Sequence, residues 1–160
     1  MEVLIKNVLL LILKNDKKLI VPYTMDKYLM IKTRDELLRI NIERILYFEA
    51  DRNYTKLLLA EGIQFTFAVN IGKIEEMLAV QISNPDTILI RVGKSYIVNK
   101  KHILQINLPK QKLLLLAGES KPRELTIPKD PLRALKDSLE AEVLGAGKLT
   151  AAKEGENNES

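Results

Sequence analysis

Short runs of Ile, Leu, Val, Phe and Tyr, divided by polar or glycine-bearing punctuation, fill the chain from Tyr28 to Pro128. Apolar or alternating runs of this length predict strands rather than helices. The predicted strands are Tyr28–Thr33, Leu37–Ile42, Ile45–Ala50, Tyr54–Ala60, Ile63–Val69, Ile88–Val92, Tyr96–Val98, Ile103–Leu108, Leu113–Ala117 and Glu124–Ile127. Glu61-Gly62 leaves two residues between two of these runs, the length of a tight hairpin turn. Pro109-Lys110-Gln111 and Gly118 to Pro122 are suited to longer hairpin loops. Connections this short make neighbouring strands antiparallel, because a parallel return needs a crossover of about a dozen residues or more.

Two segments leave the strand rhythm. Asn70 can cap a short helix in which Ile71, Ile74, Met77 and Leu78 share one face and Lys73, Glu75 and Glu76 the other. Asp130-Pro131 is a helix start, after which Leu132, Leu135, Leu139 and Val143 recur at three- and four-residue intervals up to Gly145. The expected organisation is an N-terminal extension of unassigned structure (residues 1–27), one β-rich domain (28–144) and a disordered acidic tail (145–160). In the extension, Val8 to Leu13 reads equally as part of a hairpin or as a short packed helix. No internal repeat of useful length is visible.

Composition narrows the function. With 160 residues, 46% hydrophobic and 29% charged, the chain is suited to one folded domain. It has no Cys and a single His, which removes disulfide frameworks and the common zinc sites. The apolar run from Val8 to Leu13 is too short to span a bilayer and lacks the flanks of a secretory signal, so the expected location is cytoplasmic, without membrane insertion. The net charge of +4 is uneven: residues 140–160 hold five Glu and two Lys, leaving 23 basic and 16 acidic side chains in residues 1–139. A basic body suits a polyanionic partner. Chemistry for an enzyme is thin. Ser95 and His102 are the one Ser/His pairing and lack an orienting carboxylate, and there is no glycine-rich phosphate loop, so the chain is not expected to be an enzyme.

Three motifs, taken together, point further. Ile42-Glu43-Arg44-Ile45-Leu46-Tyr47-Phe48-Glu49-Ala50 runs through Asp51-Arg52 into Asn53-Tyr54-Thr55-Lys56. Ile90-Arg91-Val92-Gly93-Lys94-Ser95-Tyr96-Ile97-Val98-Asn99 continues through Lys100-Lys101-His102 to Ile103, and Leu125-Thr126-Ile127-Pro128-Lys129 precedes the last helix. In order and spacing these resemble the "I-x-Y-x-E-A … N-Y-T", "F-x-R-x-H-R-S-Y-x-V-N-x-x-x-I" and "I-x-V-S-R" segments of LytTR-type DNA-binding domains, over about Tyr28 to Leu139. Gly93, Lys94 and Pro128-Lys129 stand where that pattern has His, Arg and Ser-Arg.

The resemblance implies a mainly β fold of elongated antiparallel sheets, with one short helix in the middle and a C-terminal helix. It implies a transcription regulator whose loops, rather than a recognition helix, enter successive major grooves of double-stranded DNA. The matching contact positions are Arg52, Asn53, Thr55, Lys56, Lys94, Ser95 and Lys129, with Lys56 favoured as a contact and Asn53 and Tyr54 leaning towards shaping the loop. Lysine in place of arginine keeps phosphate attraction but loses the planar fork that reads guanine. No cofactor or metal is implied. Two copies are expected on neighbouring half-sites. Family members usually carry a receiver domain. Only 27 residues precede the first predicted strand here, so control is expected from a sensor or regulatory protein partner, from oligomerisation or from expression level. The alternative is a protein-interaction module that docks a sensor or membrane regulator and has lost DNA binding. Single-stranded RNA binding is disfavoured by an aromatic content of 5%. Asn99 reads as structural and His102 as a surface residue.

Overall fold

The computed structural model describes residues 28–118 and 121–158, with side chains described as far as residue 145. The N-terminal extension, and with it the choice between hairpin and helix for Val8 to Leu13, lies outside the described residues. The strands are β1 (Tyr28–Lys32), β2 (Leu37–Asn41), β3 (Ile45–Asp51), β4 (Tyr54–Leu59), β5 (Gln64–Phe67), β6 (Leu89–Val92), β7 (Tyr96–Asn99), β8 (Ile103–Asn107), β9 (Lys112–Leu115) and β10 (Arg123–Thr126). Each falls within or beside one predicted run. Helix α1 (Ile71–Gln81) starts where expected, with the Asn70 side chain accepting from the Lys73 N–H at 2.8 Å. Helix α2 spans Lys129–Asn158.

The strands form an antiparallel five-stranded sheet in the order β5-β4-β3-β7-β6, a three-stranded sheet β10-β9-β8, and the hairpin β1-β2. Period-two alternation gives the central sheet two buried faces. Phe48, Leu57, Phe67, Leu89 and Ile97 pack on one side with Leu29, Ile31 and Ile40 of the hairpin and Ile74 and Leu78 of α1. Leu58, Val92 and Val98 pack on the other with Leu113, Leu115 and Leu125 of the three-stranded sheet and Leu132 and Leu135 of α2. Complete burial of an aromatic such as Phe48 or Phe67 contributes up to about 3 kcal/mol. The alternation slips once in β3. A register shift between Ile45 and Tyr47 sends Leu46 and Tyr47, adjacent in sequence, into the same second core.

The two halves of the domain repeat one order of elements, which the sequence reading did not detect. Each has a hairpin (β1-β2, then β6-β7), a 3₁₀ turn (Ile42–Arg44, then Lys100–His102), a three-strand meander and a helix. The sequence trace of this repeat is short: Asn41 and Asn99, each followed four residues later by Ile. Both Asn side chains accept the N–H two residues on, at 3.0 Å, and both following strands carry a register shift at their start. Asn99 also ties the halves together. It is 1% exposed, and its amide donates to the carbonyls of Ile42 at 3.2 Å and Ile45 at 3.0 Å. Its structural role is therefore larger than fixing a local turn.

Among the boundaries that differ from expectation, two have a clear physical reason. The β4-β5 connection is a three-residue loop rather than a two-residue one: Gly62 N–H donates to Leu59 C=O and Leu59 N–H to Ile63 C=O, both at 2.9 Å. Gly62 takes φ +87°, the glycine-favoured conformation of that bulged hairpin, so Ala60 joins the turn instead of the strand. The C-terminal helix continues to Asn158, past Gly145 and through the segment expected to be disordered. Each glycine costs a helix only about 1 kcal/mol, and the Ala, Leu, Lys and Glu around them are strong helix formers.

Candidate nucleic-acid interface

Three connections meet at one end of the central sheet. They are the β3-β4 turn at Arg52-Asn53, the β6-β7 turn at Gly93-Lys94-Ser95, and the passage from β10 into α2 through Ile127-Pro128. Antiparallel pairing sets the first two side by side: Glu49 of β3 is registered with Tyr96 of β7, and Ala50 N–H donates to Ser95 C=O at 2.7 Å. The third closes over them, so that Glu49, Ser95, Tyr96, Thr126, Ile127 and Pro131 line a common groove of about 500 Å³. The three sequence motifs, separated by 33 and 21 residues of chain, thus come together at one groove.

Gly93 is the reason the second turn can lie so close to the helix. Its φ is +61°, and a Cβ there would stand 3.2 Å from Pro131 Cγ. A side chain at this position would need both a strained backbone and displacement of Pro131.

Around the groove Arg52, Asn53, Lys94, Ser95 and Lys129 are exposed, and among the described residues none of the three cations is in an ion pair. Arg52 holds φ +58°, unusual for a residue with a side chain and a cost of about 1 kcal/mol that the tight β3-β4 turn imposes. Lys129 is the first residue of α2. Lys56 is less free: it is half-buried, 3.5 Å from Asp51, and its strand position faces Glu49. Thr55 corrects the sequence reading. Strand β4 already begins at Tyr54, which turns Thr55 inward beside Leu57. Its side chain is fully buried and its hydroxyl donates to Val69 C=O at 2.8 Å, so it cannot reach a ligand without unfolding the strand.

Tyr96 lines the groove, and Tyr47, outside the lining, packs against it. Tyr47 and Tyr96 meet edge to face with centroids 5.9 Å apart, and Tyr96 hydroxyl donates to Glu49 Oε1 at 3.3 Å. Burial, reinforced by the Glu49 charge, pushes the Tyr96 hydroxyl up to about 12, and the same causes raise Tyr47. Both rings are therefore neutral at ordinary pH. The rim supplies cations and hydrogen-bonding groups; Tyr96 supplies shape. His102, read as a surface residue, is half-buried and its Nε2 lies against Glu43 C=O.

Arg91 is the site residue that sequence reasoning passed over, being treated only as a landmark in the second motif. Its guanidinium bonds the carbonyls of Gly93 and Lys94. A bond from residue i to carbonyls at i+2 and i+3 leaves no periodic trace, which is why it escaped notice.

The family model for the LytTr DNA-binding domain matches residues 35–140. Among solved structures the chain is similar to a LytTr DNA-binding domain from Bacillus cereus, with 22% identity, 74% of this chain and 97% of that chain covered, and a TM-score of 0.47. No curated protein matches it. No described helix is long and apolar enough to cross a membrane.

Proposed function

The chain belongs to the LytTr DNA-binding domain family, and from that premise we propose that it is a sequence-specific transcription regulator that grips duplex DNA with the turns at one end of its central sheet. The observation that carries this reading is the convergence of three separate segments on one groove: Lys94 lines it, Arg52 follows two residues after Ala50 and Lys129 directly after Pro128 of its lining, and none of the three cations has an ion-pair partner among the described residues. Turns project further than a sheet face and can follow a groove. Arg52, Lys94 and Lys129 supply charge for phosphates, while Asn53 and Ser95 supply donors and acceptors for base edges. Lys56 joins them only by giving up Asp51. Because lysine binds phosphate as a point charge, affinity rests more on the backbone than on guanine readout. Two copies on neighbouring half-sites, one or more helical turns apart, would provide the specificity that one small set of turns lacks. The regulator would act in the cytoplasm, under the control of a protein partner or of its own concentration.

Fluorescence anisotropy with genomic duplex fragments at two salt concentrations tests the reading. The wild type should show a strong salt slope, and Lys94→Ala and Lys129→Ala should each lower that slope by about one unit while leaving the fold intact by circular dichroism. Weak, salt-independent binding, unchanged in both variants, would overturn it in favour of a protein-docking module.

A further inference from the structure

We propose that Arg91, anchored by Glu75, is a positioning residue that aims the β6-β7 turn at DNA and does not itself touch the nucleic acid. The inference rests on the reading of Lys94 as a phosphate contact. Along β6 the side chains alternate: Ile90 and Val92 enter the core shared with the three-stranded sheet, while Arg91 turns to the opposite face, towards α1. From there its guanidinium reaches around the strand end. Nε donates to Gly93 C=O at 3.1 Å, Nη2 donates to Lys94 C=O at 2.7 Å, and Nη1 pairs with Glu75 of α1. One planar group thus fixes two successive carbonyls, and with them the peptide planes on both sides of Lys94. Those planes set the direction in which the Lys94 side chain leaves the turn.

The turn has need of such a clamp. It pivots on Gly93, the residue type with the widest backbone freedom, held at φ +61°. Without the clamp, water can satisfy both carbonyls, so the fold survives while the turn samples other arrangements. The charge of Arg91 is already matched by Glu75, and its side chain is 29% exposed, on the face of the sheet away from the groove. Lysine cannot replace it, because a single ammonium lacks the rigid fork that engages two carbonyls and a carboxylate at once.

The test compares Arg91→Lys, Glu75→Gln, Lys94→Ala and the Arg91→Lys/Lys94→Ala pair in the full chain, titrated against the genomic duplex that binds the wild type most tightly. One phosphate contact carries a salt exponent of about −0.9, or roughly fivefold in affinity at 0.15 M relative to 1 M salt. Arg91→Lys should therefore weaken binding by up to about fivefold and lower the salt slope although it conserves charge. The double variant should bind no worse than Lys94→Ala. Glu75→Gln should weaken binding, because it releases the guanidinium from its anchor. If Arg91 contacted phosphate directly, removing the Glu75 charge would tighten binding instead, and that result would overturn the proposal. So would independent losses from Arg91→Lys and Lys94→Ala that multiply in the pair. If Lys94→Ala alone changes nothing, the contact assignment of Lys94 falls first, and the positioning role with it.

Discussion

Gly93→Ala is expected to destabilise the domain by about 2 kcal/mol, from two contributions that can be separated. The first is backbone strain. A non-glycine residue at φ +61° costs about 1–2 kcal/mol, offset by up to about 1 kcal/mol through reduced freedom of the unfolded chain. The second is crowding. The new Cβ would sit 3.2 Å from Pro131 Cγ and 3.3 Å from Pro131 Cβ, so turn and helix must part by a few tenths of an ångström. Overpacking costs about 1–3 kcal/mol in a tight core, and about 1 kcal/mol at this half-exposed contact. Gly118 is the internal control: its φ is +60°, but a Cβ there meets nothing within 4 Å. Gly118→Ala should therefore lose only the strain component, about 1 kcal/mol. Urea unfolding of both variants, with a Gly93→Ala/Pro131→Ala cycle to isolate the crowding, measures each part. The reasoning fails if Gly93→Ala is no more damaging than Gly118→Ala, or if the cycle shows no coupling to Pro131. Because the same turn presents Lys94, weakened DNA binding should accompany the lost stability.

Asn99→Ala should cost about 3 kcal/mol in urea unfolding, since it strips partners from the Ile42 and Ile45 carbonyls and the Lys101 N–H in a buried setting; a loss below 1 kcal/mol would contradict that network. Thr55→Val should lower stability by about 1 kcal/mol and leave DNA affinity unaltered, because it removes only the bond to Val69; weakened binding by a fully folded variant would return Thr55 to the interface. The raised Tyr96 hydroxyl sets an alkaline limit. The folded state holds this proton more tightly than the unfolded chain, so its stabilising contribution is intact below pH 10.0 and is lost as pH rises towards about 12. Urea midpoints should accordingly fall less steeply over that window in Tyr96→Phe than in the wild type, with the slope that remains reflecting Tyr47. Truncation after Gly147 should leave the melting temperature unchanged, as scanning calorimetry would record, because Leu149 is the one large apolar residue it removes.

Much of the architecture is written locally in the sequence. Period-two runs bounded by polar or glycine residues located every strand, Asn70 marked the start of α1, and the spacing of three motifs marked the turns that come together. These features are legible because strand periodicity, caps and turn chemistry depend on neighbours a few residues away. What the chain alone left undecided depends on partners distant in sequence. The register shift that turns both Leu46 and Tyr47 into one core, and the alternation that buries Thr55 against Val69, follow from how β3 and β4 are paired. The duplicated order of hairpin, 3₁₀ turn, meander and helix is held by pairing and packing that many different apolar residues can satisfy, so only Asn41 and Asn99 betray it. Gly93 reads in the sequence as a lost histidine and in the structure as the one residue that fits against Pro131. Arg91 could be placed on a strand from its neighbours, but the pairing of its guanidinium with Glu75 of α1, alongside its bonds to Gly93 and Lys94, is made only by folding.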